Sequence, residues 1–117
     1  MTHINLVQDA IKESIKVREK LNLNDFDSII KAAIQISESI LQGNKVMICG
    51  NGGSAADAQH LAAEFLIRYR PTHNRMSLPA IALATDTSTI TACGNDFGFE
   101  NIYSRIIESI GNPKDIL

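Results

Sequence analysis

Two short apolar runs constrain this chain more than any other feature. Lys45-Val46-Met47-Ile48-Cys49 is apolar after its first residue, and Pro79-Ala80-Ile81-Ala82-Leu83-Ala84 is apolar throughout. Runs of this length, bounded by glycine, proline and polar residues, read as buried strands. Between them lie Gly50-Asn51-Gly52-Gly53-Ser54, a helix-patterned stretch from about Ala55 to Arg68, and a polar connection from Tyr69 to Leu78 that contains Pro71. Strand, helix and strand in that order make a βαβ unit, which predicts an α/β fold with a parallel sheet covered on both faces.

Upstream the periodicity is helical. Ile4, Val7, Ile11 and Ile15 share one stripe of a helix over residues 2–21, with Ala10, Ser14, Val17 and Leu21 on an adjacent stripe, so the apolar face is wide. Asn22 and Asn24 break it. Asn24 or Asp25 caps a second helix carrying Phe26, Ile29, Ile30, Ala33, Ile34, Ile40 and Leu41, and Gly43-Asn44 stops that helix. Downstream, residues 86–94 read as a short helix or turn. Residues 99–110 read as a helix with Ile102, Ile106, Ile107 and Ile110 on its apolar face, ended by Gly111-Asn112-Pro113. Lys114-Asp115-Ile116-Leu117 reads as a turn entering a third strand. Sheets usually hold about 4–6 strands, so either a partner chain completes the fold or the chain is a truncated, N-terminal portion of one domain, and the second reading is favoured. Residues 1–43 form its helical extension and residues 44–117 the first part of the sheet core.

Composition narrows the function classes. A net charge of -2 over 117 residues, with acids and bases interspersed, gives no reason to expect nucleic acid or an anionic membrane as the partner. Asp9, Lys12, Glu13 and Lys16 interrupt any signal-peptide core, and no stretch approaches the ~18 apolar residues that a membrane span needs. A cytoplasmic protein is the expectation. Cys49 and Cys93 lack metal-type spacing and are expected to pack as small buried hydrophobes in a reducing compartment. His3 and His73 are expected at the surface.

The loop Gly50 to Ser54 follows a strand and opens a helix. Glycines let backbone N–H groups approach an anion, and the helix N-terminus adds a favourable dipole. Ser54 is placed to cap the helix or to donate its hydroxyl to a phosphate. A tight turn with no ligand is the competing reading. A Walker loop is excluded, because no Gly-Lys-Ser/Thr is present. Gly50, Gly52 and Ala55 match the dinucleotide fingerprint, but two helices precede the first strand and Asp86 lies beyond the usual ~20-residue offset.

Asp57, His60, Glu64 and Arg68 follow at spacings of three, four and four, one polar stripe opposite Ala58, Leu61, Ala62 and Phe65. From spacing alone, an ordinary solvated face is the better reading of such a stripe. What favours a site is that it begins one turn after a phosphate-type loop. His60 and Glu64, four residues apart, can share a divalent metal, but two ligands do not complete a tetrahedral zinc site. Glu64 can also serve as a general base. Thr85-Asp86-Thr87-Ser88 and Asn95-Asp96 follow the second strand, where polar residues converge on a ligand crevice. Helix capping by Asp86 and a solvated turn at Asn95-Asp96 are the alternatives.

The segments GNGGSAADAQHLAAEF (Gly50 to Phe65) and LPAIALATDTSTITACGNDFGFENIYSR (Leu78 to Arg105) resemble the phosphoheptose isomerases of the sugar isomerase (SIS) superfamily. The resemblance covers essentially the whole chain. It implies a three-layer α/β/α fold and isomerisation of sedoheptulose 7-phosphate to D-glycero-D-manno-heptose 7-phosphate, feeding heptose precursors of lipopolysaccharide or other surface glycans. It further implies a homotetramer with active sites between subunits. By resemblance, Asn51, Gly52, Gly53, Ser54, Asn95 and Asp96 contact the sugar phosphate. His60 and Glu64 match zinc ligands, Glu64 also matches the catalytic base, and Arg68 matches an arginine near the site. The family's later Ser/Thr-rich phosphate loop, glutamine and histidine have no counterpart here, so catalysis by the 117-residue form alone is not expected.

Two other functions compete. A non-catalytic relative, the DnaA initiator-associating protein, shares the fold and a similar glycine loop, but the position of Glu64 is replaced there; retention of both His60 and Glu64 favours the enzyme. A sugar-phosphate sensing module is usually joined to a DNA-binding domain, and none is visible.

Overall fold

The computed structural model describes residues 2–117, so Met1 lies outside it. Contacts divide the chain into two units, residues 1–35 and 36–117, each described by itself. The first unit holds helix α1 (His3–Glu19) and the start of α2 (Leu23–Leu41). Thr2 caps α1 through its hydroxyl, which accepts from the Asn5 amide at 3.3 Å. The cap of α2 is neither Asn24 nor Asp25. Asn22 Oδ1 accepts from the Asn24 amide at 2.9 Å, and Asp25 Oδ2 accepts from the Asn22 amide at 2.9 Å. This reciprocal capping box satisfies two orphan donors at once, which is why the helix starts before the expected caps. No residue of α1 is buried, and Ile4, Val7, Ile11 and Ile15 all stand exposed.

The second unit carries the sheet. Strand β1 (Val46–Ile48) pairs in parallel with β2 (Ala80–Ala82), register Val46 to Ala80 and Ile48 to Ala82. Helix α3 (Gly53–Leu66) makes the crossover and packs on both strands. Val46, Ala62 and Ala80 form a buried centre, against which Ile36 and Ile40 of α2, Ile48, Phe65 and Ala82 pack. Alternation along each strand sends these side chains to one face. On the opposite face Met47 is buried, but Ile81 remains 38% exposed. The expected double cover is therefore partial there, because the helices that follow do not close over the middle of β2.

The tail enters a third strand as its pattern predicts. Ile116 bridges Val46 in parallel, with Met47 N–H donating to Ile116 O at 2.7 Å and Ile116 N–H to Lys45 O at 3.0 Å. Since Val46 N–H points instead to Pro79 O at 3.0 Å, β1 is central and pairs on both edges. Helix α4 (Thr87–Asp96), a 3-10 turn (Phe99–Asn101) and α5 (Ile102–Ile110) follow β2. Ile102 is buried and Ile106 and Ile107 half-buried, while Ile110 is exposed. Among the described residues, no helix is long and apolar enough to cross a membrane.

Candidate functional site

The glycine loop turns the chain from β1 into α3 within a few residues. A side chain on Gly50 would place its Cβ 2.6 Å from Ser54 Cβ and 2.7 Å from the Ser54 carbonyl carbon, so only glycine lets these backbones approach. Gly52 caps α3 with φ 57° and ψ -121°, a conformation open essentially to glycine alone. Ser54 N–H donates to Asn51 O at 3.0 Å and Ala55 N–H to Gly52 O at 3.1 Å. Gly52, not Ser54, holds the cap position, which removes the capping role considered for Ser54. Among the described residues, the Gly52 and Gly53 amides donate to no acceptor. They stand at the positive end of a 14-residue helix, the arrangement that seats an anion.

A cleft of about 170 Å³ opens beside the loop. Gly50, Asn51 and Gly52 form its polar wall, and Ile90, Phe99 and Ile102 its apolar wall. Two further residues line it that sequence reasoning did not single out. Ala84 holds a left-handed φ of 56°, unusual for a side chain with a Cβ. Tyr103, at the start of α5, brings its hydroxyl within 2.6 Å of both Gly50 O and Asn51 Oδ1. The apolar period of α5 gave no sign of Tyr103, since it lies beside Ile102 and off that face.

Further along α3, His60 Nε2 lies 2.9 Å from Glu64 Oε1. The His60 side chain is 77% exposed and that of Glu64 28%. Two donors each about 2.05 Å from a tetrahedral zinc stand ~3.3 Å apart, so the pair can close on one ion after a small adjustment. The donor chemistry fits half a zinc site. Among the described residues, no group of three or more His, Cys, Asp or Glu side chains is placed to hold a metal.

Two of the stripe's neighbours depart from expectation. Leu61 stays 49% exposed instead of joining Ala58, Ala62 and Phe65. Arg68 lies past the end of α3, and its guanidinium donates to Pro71 O at 3.1 Å. The helix stops because the returning chain takes its last carbonyls. Arg75 donates to Glu64 O at 2.6 Å and Phe65 O at 2.9 Å, Ser77 Oγ to Leu66 O at 2.6 Å, and Leu78 N–H to Phe65 O at 3.1 Å.

After β2, Asp86 is the cap of α4, accepting from the Thr89 amide at 2.7 Å. Hydrogen bonds from the Thr89 backbone, then from its side chain, hold the Asp86 carboxyl below its usual range. Asn95 and Asp96 sit in the last turn of α4 and bond to each other, Nδ2 to Oδ1 at 2.8 Å. They are exposed and do not line the loop's cleft. Cys93 is buried as expected, but Cys49, at the carboxyl edge of β1, is exposed.

A family model described as the SIS domain matches residues 10–117. The phosphoheptose isomerase of Chlorobaculum parvum is 52% identical over 112 residues, covering 96% of this chain and 54% of that protein. That of Chlorobaculum tepidum is 51% identical with the same coverage. The structure of phosphoheptose isomerase GmhA from Neisseria gonorrhoeae superposes with a TM-score of 0.82 at 38% identity, covering 97% of this chain and 58% of that one. A Francisella tularensis phosphoheptose isomerase superposes with a TM-score of 0.83 at 33% identity, covering 96% and 58%. The chain therefore has the SIS fold and spans about half the length of the curated relatives it matches.

Proposed function

This chain belongs to the SIS-domain family, and on that premise we propose that it supplies the glycine-loop half of a phosphoheptose isomerase acting on sedoheptulose 7-phosphate. The observation that carries this reading is the hydrogen-bonded pair His60 and Glu64 on the helix that the glycine loop opens. Its relatives of the same name support it. Ketose-to-aldose isomerisation removes a proton from the carbon beside a carbonyl and returns one to the neighbouring carbon through an enediol. Glu64 takes that proton and gives it back. The amides of Gly52 and Gly53, with Asn51 and Ser54, hold the substrate's anionic or hydroxyl groups, and Asn95, Asp96 and Arg68 complete its contacts. Zinc, held by His60 and Glu64 with donors from outside this segment, stabilises the developing oxyanion when bound.

The loop and Glu64 stand near opposite ends of α3, about 18 Å apart along its axis. This supports a homotetramer whose active sites are assembled between subunits, as does the exposed apolar stripe of α1. The product supplies heptose for lipopolysaccharide or another surface glycan, made in the cytoplasm.

The test uses the full open reading frame, assayed for sedoheptulose 7-phosphate turnover and zinc content, with size from sedimentation equilibrium. Glu64→Gln lowers kcat by roughly 10²–10⁴-fold with phosphate binding retained. His60→Ala lowers zinc content, and excess zinc restores part of the activity. Wild-type turnover by Glu64→Gln removes Glu64 as the base. A wild-type protein that binds phosphate and never turns over supports the non-catalytic reading.

A further inference from the structure

Glu64 stands third from the end of α3, where the helix has run out of its own donors. Ile67 N–H makes the last bond of the helical series, to Ala63 O at 2.9 Å, so Glu64 O is the first carbonyl left over. Arg75 takes it. Its Nη2 donates to Glu64 O at 2.6 Å, and its Nη1 donates to Phe65 O at 2.9 Å and to Met76 O at 2.8 Å. The segment that presents Arg75 is itself tied down. Leu78 N–H donates to Phe65 O at 3.1 Å, and Pro79 O accepts from Val46 N–H of β1 at 3.0 Å. The turn carrying Glu64 is thereby fastened to the sheet through the returning chain. Its carboxylate has no comparable anchor, since it meets His60 at 2.9 Å and the His60 side chain is 77% exposed.

We propose that Arg75 is a positioning residue for the base: its grip on the Glu64 and Phe65 carbonyls holds the last turn of α3, and with it the direction in which Glu64 presents its carboxylate to the substrate's carbon. The proposal rests on the reading of Glu64 as the general base. Helix ends fray, and a last turn opens more readily than the turns before it. Proton transfer tolerates little of that motion, because a displacement of about 1 Å can cost about a hundredfold in rate. A planar fork that places donors on successive carbonyls stops the turn from opening, in a way that a single ammonium does not. Arg75 does not line the cleft at the glycine loop, so its effect falls on the chemical step and not on holding the substrate.

The test uses the full open reading frame, with zinc in excess and sedoheptulose 7-phosphate as substrate. Each variant is assayed well below its melting temperature, so that turnover reports folded protein. Arg75→Ala lowers kcat by about ten- to a hundredfold and leaves KM within about twofold. On the Glu64→Gln background, adding Arg75→Ala lowers kcat no further, because no base is left to position. A merely structural support would take the same factor from both backgrounds, and that result overturns the proposal. Wild-type kcat in Arg75→Ala, or a loss confined to KM, overturns it too. If Arg75→Ala does not fold, Arg75→Lys decides. It keeps the charge but not the fork, so kcat falls by about three- to tenfold, again only where Glu64 is present. Wild-type kcat in Arg75→Lys then overturns the proposal. Wild-type turnover by Glu64→Gln would instead remove the reading of Glu64 as the base, and this proposal with it.

Discussion

The carboxylate of Asp115 accepts two hydrogen bonds from Lys45, one from its backbone amide at 2.9 Å and one from its ammonium at 2.5 Å. A third arrives from the Asn112 amide at 2.7 Å, and the side chain is only 2% exposed. Together with Ser39 Oγ, which donates to Lys114 O at 2.8 Å, these bonds fix the tail beside β1 so that Ile116 can pair there.

That arrangement makes stability depend on pH in a defined direction. The side-chain bond from Lys45, then its backbone bond, lowers the Asp115 pKa from 3.8 to about 2. A folded pKa below the unfolded one means that the stabilisation is complete above about pH 4 and is lost as pH falls toward about pH 2. Asp115→Asn should lower the melting temperature at neutral pH, and the gap to wild type should close over that acid window. A gap that stays constant across it would mean that the carboxylate's charge contributes nothing.

The glycines of the loop are not equivalent. An alanine Cβ at Gly50 collides with the Ser54 backbone, which cannot yield without unwinding the start of α3, whereas at Gly53 it meets open space. Gly50→Ala should therefore destabilise by about 1–3 kcal/mol, the usual cost of overpacking. Gly53→Ala should be neutral or stabilising by up to about 1 kcal/mol, the propensity difference at a helical position. Urea unfolding of both variants measures the contrast, and equal stabilities would contradict the close approach at Gly50.

The two thiols should differ in reactivity. Cys49 is exposed and Cys93 buried. A thiol reagent should label one cysteine per chain promptly and the second only on unfolding, and Cys49→Ser should abolish the prompt phase. Prompt labelling that survives in Cys49→Ser would place Cys93 at the surface.

Much of the fold was legible because its signals are local. Apolar runs marked β1 and β2, periodicity marked the helices, and the pattern at the tail marked the entry to a third strand. The glycine loop and the pair His60 and Glu64 were legible for the same reason, since their spacing alone puts them on one helix. What escaped was decided by residues distant in sequence. Arg68 fits the helical period, yet α3 ends before it because residues 75–78 occupy the helix's last carbonyls. Tyr103 joins the cleft only through the packing of α5, which no local pattern reports. Asn95 and Asp96 follow a strand in sequence, and α4 sets them in its last turn, outside the lining of the loop's cleft.

The last turn of α3 gives the sharpest stability prediction. Arg75 spreads its guanidinium over three carbonyls, those of Glu64, Phe65 and Met76, at 2.6, 2.9 and 2.8 Å. The first two are orphan acceptors at a helix C-terminus, where a cation also opposes the negative end of the helix dipole. Arg75→Ala leaves Glu64 O to solvent and Phe65 O with the Leu78 N–H alone, and should cost about 1–2 kcal/mol, near the low end for bonds to a charged group because Arg75 is only half-buried. Lysine keeps the charge but not the planar fork, so Arg75→Lys should recover less than half of that loss. Hydrogen exchange should locate the effect. The Phe65, Leu66 and Ile67 amides, whose helical bonds run back into α3, should exchange faster in Arg75→Ala while those of β1 do not. Uniform acceleration across both elements would mean that Arg75 supports the whole unit and not the helix end that carries Glu64.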